Sequence, residues 1–325
     1  MAAGGLIAAL RNGDRRTLAQ AVTLAESTRP DHRAEAEELI EVLLPETGGA
    51  VRIGISGPPG VGKSAFIERF GLEGIALGHR VAVLAVDPGS KRGGGAILGD
   101  KTRMIELARS PQAFIRPSSA GSSRGGVARR TRDAILLCEA AGFDAVLVET
   151  VGVGQSETAV AEIVDMFVLV LPPAGGDELQ GIKRGVIELA DLILVNKADG
   201  ELAAAAHRSV ADYKSALGLI RPLRPEWQVP VRAISALEGT GIRQVWEDIE
   251  RFRTTLEKAG SWWRRRSEQA RSALWSEIGD SLLDRFRATP AVAQRLADLE
   301  QEVMAGTRTP TAAARALLSA FLGRD

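Results

Sequence analysis

A single cysteine, Cys138, stands in a chain of 325 residues. One thiol excludes an intrachain disulfide framework and a cysteine-rich metal cluster. It lies in a run of apolar residues at helical spacing, Asp133–Ala141, which predicts a buried core thiol. The three histidines, His32, His79 and His207, are scattered, and none has a setting that suggests ligation. Aromatic residues are scarce, leaving little for stacking nucleic-acid bases. Net charge is absent too: 41 basic residues balance 41 acidic ones, which argues against nucleic-acid and membrane partners. No apolar run reaches the length of a membrane span. The N-terminal MAAGGLIAALRNGDRR has no basic segment ahead of its short apolar stretch, so it makes a poor signal peptide, and no transit peptide is apparent. The expected location is the cytoplasm, or the mitochondrial matrix of a eukaryote.

Glycine, by contrast, is concentrated where chemistry needs it. Residues 51–64, VRIGISGPPGVGKS, read as a short apolar strand entering a phosphate-binding loop. Gly57, Gly62, Lys63 and Ser64 match the spacing GxxxxGK[ST]. Such a loop turns its backbone N–H groups around a β-phosphate, and the following helix N-terminus adds a favourable dipole. The residues expected against the nucleotide are Gly57, Pro58, Pro59, Gly60, Val61, Gly62, Lys63, Ser64 and Ala65. Lys63 is assigned to the β/γ-phosphates and the Ser64 hydroxyl to Mg²⁺.

The base is specified further along. Asn196-Lys197-Ala198-Asp199 follows the apolar run Leu192–Val195. A carboxylate at Asp199 can accept both hydrogens of guanine's N1–H and N2–H₂ edge, whereas adenine would leave it unpaired. Ser235-Ala236-Leu237, after the apolar Val229–Ile234, is placed to offer backbone N–H to the guanine O6. The nucleotide is therefore read as GTP.

Between Val51 and about Leu256, apolar strand candidates alternate with helical stretches. They are Val51–Ser56, Val81–Val86, Ala113–Ile115, Ala145–Val148, Phe167–Leu171, Leu192–Val195 and Val229–Ile234. This pattern predicts a mostly parallel α/β sheet covered on both faces, with ligands at the carboxyl ends of the strands. Three parts are expected: an N-terminal helical extension (1–48), a GTPase domain (49–253) and a C-terminal helical arm (254–325). Within the arm, the triplet Arg264-Arg265-Arg266 is read as a solvated helix face.

Further acids fall at strand ends near the phosphates. Asp87 ends the second strand, Asp100 lies in a Gly-rich stretch, and Glu149 precedes Thr150-Val151-Gly152-Val153-Gly154. Ser64, Asp87, Asp100 and Glu149 are the candidate Mg²⁺ oxygens, some acting through water because Mg²⁺ keeps several. Backbone at Gly152 is placed to contact a γ-phosphate. The charged, glycine-rich run 172–184 follows the fifth strand.

Together these segments resemble one family, the methylmalonyl-CoA mutase-associated G-protein chaperones, historically also called ArgK-type transport kinases. The resemblance covers nearly the whole chain. It rests on GDRRTLAQAVTLAES, GPPGVGKS, AVLAVDPGS, GGGAILGDKTRM, AFIRPS, LLCEAAGFDAVLVETVGVGQSE, GDELQGIKRG and LVNKAD. It implies the SIMIBI class of P-loop GTPases, using GTP/GDP and Mg²⁺ and turning over slowly until a partner stimulates it. Residues 87–103 then resemble switch I, 149–157 switch II and 172–183 a third switch. The implied partner is an adenosylcobalamin-dependent acyl-CoA mutase, with an adenosyltransferase as a further one. The arm implies a homodimer, and no tightly bound cobalamin is expected. Lys63 and Glu149 are the catalytic candidates, joined by Lys183 as an activating charge and Asp177 as a residue ordering its loop. Two other functions are weighed: a nickel metallochaperone GTPase, which would need a His/Cys face that this chain lacks, and a kinase of a transport protein.

Overall fold

The computed structural model describes residues 3–87, 104–119, 124–150, 156–173, 184–220 and 222–323. Seven strands form one sheet: β1 (Val51–Ser56), β2 (Val81–Asp87), β3 (Ala113–Ser119), β4 (Ala145–Thr150), β5 (Met166–Leu171), β6 (Leu192–Val195) and β7 (Val231–Ala233). Their order is β3-β2-β4-β1-β5-β6-β7, and every pair is parallel. All seven expected strands are present. The last is shorter than expected because Pro230 has no N–H to give the ladder; only its carbonyl joins, accepting from Ile193 N.

Each strand is apolar on both faces because helices cover both. Ala82, Leu84, Val146 and Val148 point to one layer, and Val81, Val83, Ala145 and Leu147 to the other. The first layer takes the N-terminal helices α1 (Ala3–Arg11), α2 (Arg15–Glu26) and α3 (Pro30–Leu43). Asp14 caps α2, its carboxylate accepting from Thr17 N at 2.7 Å, which holds its pKa below the ordinary value. Cys138 is fully buried in this layer, as expected. The second layer takes α4 (Lys63–Ala76), whose Phe70 stacks on Trp246 at 4.4 Å. Among the described residues no helix is long and apolar enough to cross a membrane.

The remaining helices follow in chain order: α5 (Ile105–Arg109), α6 (Arg124–Ala140), α7 (Ser156–Ala161), α8 (Arg184–Leu189), α9 (Ala203–Leu217), α10 (Ile242–Lys258), α11 (Ser261–Ala288), α12 (Pro290–Met304) and α13 (Pro310–Phe321). The chain divides into two compact units, Met1–Gln269 and Ala270–Asp325. Helix α10 belongs wholly to the first, burying Trp246, Ile249, Phe252 and Leu256 on its apolar stripe.

The arginine triplet departs from its expectation as a solvated face. Arg264 is exposed, but Arg266 binds the Asp165 carboxylate with Nε at 2.7 Å and Nη2 at 2.6 Å. It also donates to Gly48 O and Ala50 O and lies over the Trp262 ring. Arg265 turns the other way, onto the carbonyls of Ala161 and Val164. The start of α11 is thus fastened to the GTPase core by buried guanidinium groups. In the second unit, Val292, Leu299, Ala313 and Leu317 form a small core joined by Phe286 and Phe321. Leu274, Trp275, Ile278, Leu282 and Leu283 of α11 are exposed.

Candidate nucleotide site

The phosphate end of the site is built on β1, the strand between β4 and β5. Residues 57–62 leave its carboxyl end and turn into α4 at Lys63. Two glycines make the turn possible. Gly57 has φ +156°, and a Cβ there would fall 2.1 Å from Val170 O; Gly62 has φ +93°, and a Cβ would lie 2.8 Å from Asn196 Nδ2. The unbonded first-turn N–H groups of α4 face the loop and attract an anion.

Lys63 is 9% exposed and donates to Gly57 O at 2.6 Å and Pro58 O at 3.2 Å. Burial pulls its pKa below the usual lysine value, while the charges of Glu149 and Glu157 oppose the shift. Ser64 Oγ donates to Glu149 Oε1 at 3.2 Å across the β1–β4 pairing, where Ile55 stands opposite Glu149. Thr150 Oγ1 donates to Ser56 Oγ at 2.9 Å, tying the ends of the two strands together.

The base end is built on β6 and β7. Asn196 is buried and bridges both ends of the site: its Nδ2 donates to Val61 O at 2.8 Å, and its Oδ1 accepts from Ala236 N at 3.0 Å. Lys197 takes φ +61°, a conformation uncommon outside glycine, so the backbone turns sharply between Asn196 and Asp199. Ser235 Oγ donates to Asp199 Oδ2 and accepts from Glu238 N at 3.0 Å. The hydroxyl therefore fixes the Asp199 carboxylate and the 235–238 turn at once. Arg69, from α4, donates to Leu237 O at 3.3 Å.

Gly57 to Ala65, Glu149, Asn196, Lys197, Asp199, Ser235, Ala236 and Leu237 gather at the carboxyl ends of β1, β4, β6 and β7. Asp87 ends β2, which pairs with β4 through Val86 and Thr150; its side chain lies outside the described residues. Asp100, Gly152, Asp177 and Lys183 also lie outside them. Three features escaped the sequence reading. The bridge made by Asn196 joins residues 135 apart in sequence. The Arg69 contact joins helix and loop 168 apart. Glu157 is 1% exposed and charge-coupled to Lys63, and its only sequence signal was a place at the end of GVGQSE.

The donor set fits a hard divalent cation. Ser64 Oγ and the Glu149 carboxylate, both oxygen donors, meet beside the phosphate loop, and Mg²⁺ prefers such ligands. Bound there, Mg²⁺ would neutralise charge on the β- and γ-phosphates.

A phosphate-binding loop and an Asn-Lys-Ala-Asp turn at the strand ends of one all-parallel sheet are the features of a P-loop GTPase. The sheet supplies the two ends of the site from β1 and from β6 and β7, with β5 between them, and the Asn196 amide links the two. Comparison with known proteins narrows the class. The family model for the methylmalonyl-CoA mutase-associated GTPase MeaB matches residues 18–291, and the chain belongs to that family. It is 46% identical over 329 residues to the mitochondrial methylmalonic aciduria type A homolog of Mus musculus, covering 98% of this chain and 79% of that one. It is 48% identical over 283 residues to GTPase ArgK of Escherichia coli, covering 86% and 84%. The crystal structure of a LAO/AO transport system kinase superposes with a TM-score of 0.78 at 39% identity, covering 99% of this chain and 97% of that one.

Proposed function

We propose that this GTPase is a chaperone of an adenosylcobalamin-dependent acyl-CoA mutase, in the first instance methylmalonyl-CoA mutase. GTP binding and hydrolysis gate loading of the cofactor onto the mutase and protect or reactivate the loaded enzyme. The observation that carries this reading is the family match across residues 18–291, supported by the Ser235 hydrogen bond that fixes the Asp199 carboxylate proposed to read guanine. The protein works as a nucleotide timer: slow alone, faster when the mutase docks. Cobalamin passes between an adenosyltransferase and the mutase without being held tightly here.

In the catalytic step Lys63 steadies the β- and γ-phosphates, and Ser64 with Glu149 holds the metal. Catalysis of phosphoryl transfer is mostly placement and charge stabilisation, so a group that strengthens its contact only in the transition state sets the rate. Lys183, ordered by Asp177 when the mutase binds, is the proposed source of that extra charge. Residues 254–325 form the proposed dimerisation arm, with exposed Leu274, Trp275, Ile278 and Leu282 on α11 as its apolar face.

The test is GTP hydrolysis with and without methylmalonyl-CoA mutase, together with co-elution of the two in a non-hydrolysable GTP analogue. Stimulated turnover and nucleotide-dependent co-elution are expected. Phosphoryl transfer from labelled GTP to a transport protein, with no effect of the mutase, would favour instead a kinase activity of the kind for which the solved relative is named.

A further inference from the structure

Helix α7 is the element that follows the acid–glycine segment beginning at Glu149. It is only six residues long, and its carboxyl end is held by the start of α11. Arg265 Nη2 donates to Ala161 O at 2.9 Å and to Val164 O at 3.3 Å. Gln269 Nε2, one turn on, donates to Val164 O at 2.8 Å. The next residue, Asp165, is gripped by Arg266 and accepts from Arg52 N at 2.8 Å. The last carbonyls of a helix have no partners within it and carry its negative dipole end, so a guanidinium there satisfies both needs.

The other end of α7 touches the chemistry. Glu157, in its first turn, is buried, and its charge acts on Lys63. The helix also sits directly on the strand that feeds the phosphate loop. A Cβ on Gly54 would meet Val160 at 2.8 Å and Val164 at 3.0 Å, so only hydrogen there allows this approach. A shift of α7 is therefore felt at β1 and at the phosphate cradle.

From this juxtaposition we propose that Arg265, with Gln269, is a positioning residue for GTP hydrolysis, holding α7 against β1 so that Glu157 and the phosphate loop that β1 feeds keep their productive placement. The proposal rests on the GTPase assignment. It makes the start of α11 part of the catalytic apparatus and gives any partner that pulls on that helix a mechanical route to the γ-phosphate. Arg265 reaches no nucleotide itself; it acts through the helix it caps.

The experiment compares full-length wild type with Arg265→Ala, Arg265→Lys, Gln269→Ala and, as a control, the exposed Arg264→Ala. Single-turnover and steady-state GTP hydrolysis give kcat and KM separately, and calorimetry gives GDP affinity. Small misplacements of a reacting geometry are amplified in rate, so Arg265→Ala should lower kcat about tenfold while GDP affinity stays within about twofold. Arg265→Lys keeps one donor for these carbonyls and should restore part of the rate. Gln269→Ala should lower kcat less, and Arg264→Ala should match the wild type. A folded Arg265→Ala with wild-type kcat overturns the proposal, as does a loss of GDP affinity equal to the loss of rate. If Arg265→Ala does not fold, Gln269→Ala and Arg265→Lys decide, and wild-type kcat in both overturns it. Absence of turnover in the wild type would overturn the GTPase assignment instead.

Discussion

Replacing Asn196 by alanine tests whether the phosphate and guanine ends of the site form one mechanical unit. The amide spans them, giving a proton to Val61 O and taking one from Ala236 N in a position 2% exposed. Each hydrogen bond contributes about 0.5–1.5 kcal/mol, and each buried group left without a partner costs about 1–3 kcal/mol. Water entering the vacated space recovers part of this, so the expected total is about 2–4 kcal/mol. The protein makes both bonds by itself, and the loss should appear first in stability, as a melting temperature lower by about 3–6 °C. Nucleotide must then order two loosened loops, and at about 1.4 kcal/mol per factor of ten the GDP affinity should fall at least about tenfold. Asn196→Asp separates the two bonds. It keeps an acceptor for Ala236 N but sets a carboxylate oxygen against Val61 O, so it should be no better than alanine. Scanning fluorimetry and calorimetry with GDP provide both readouts. If Asn196→Ala melts and binds GDP like the wild type, the two ends are independent and the bridge is incidental.

The base carboxylate predicts a change of specificity: Asp199→Asn should lose GTP and gain xanthosine triphosphate by roughly 2–4 kcal/mol, and unchanged GTP affinity by calorimetry would refute it. Ser64→Ala should be partly rescued by high Mg²⁺ whereas Lys63→Ala should not, since no metal replaces an ammonium on the phosphates; superimposable Mg²⁺ titrations would contradict the two roles. Burial raises the Cys138 pKa, so the stability it contributes is complete below the unfolded thiol's pKa and lost as pH rises past it. Relative to Cys138→Ala, the wild type should lose about 1.4 kcal/mol per pH unit above about 8.5, and equal pH slopes in urea unfolding would sink this. Truncation after Gln269 keeps α10 and the Arg266 anchor, and should give a monomer that still binds GTP; light scattering that finds a dimer would place the interface elsewhere.

What the sequence carried was whatever local pattern encodes. Apolar runs gave the seven strands, and fixed spacings gave Lys63, Ser64, Asn196 and Asp199, because a phosphate loop and a guanine turn are contiguous backbone devices. Asp14 was legible as a cap for the same reason: its acceptor serves Thr17, three residues away. The sequence did not reveal the long-range side-chain choices. Nothing local distinguishes the Asn196 amide that reaches Val61 from one facing water. The arginine triplet misled because charge alone favours solvent, yet Asp165 and free carbonyl ends drew two of the three inward. The tryptophans beside them were the available signal, since Arg266 stacks on Trp262 and Trp263.

The strand order has a consequence for how this protein is made. The strand bearing the phosphate loop, β1, pairs with β4 and β5, and neither has been synthesised when β1 leaves the ribosome. Its second neighbour ends at Leu171, so at about 5–20 residues per second the emerging β1 waits on the order of ten seconds for its last partner. During that interval an apolar strand with both edges unpaired is open to wrong partners, and β2 and β3, which pair with each other, are the first elements able to zip. Nascent chains stalled before Met166 should therefore be the ones that general folding helpers hold, and release should coincide with the appearance of β5.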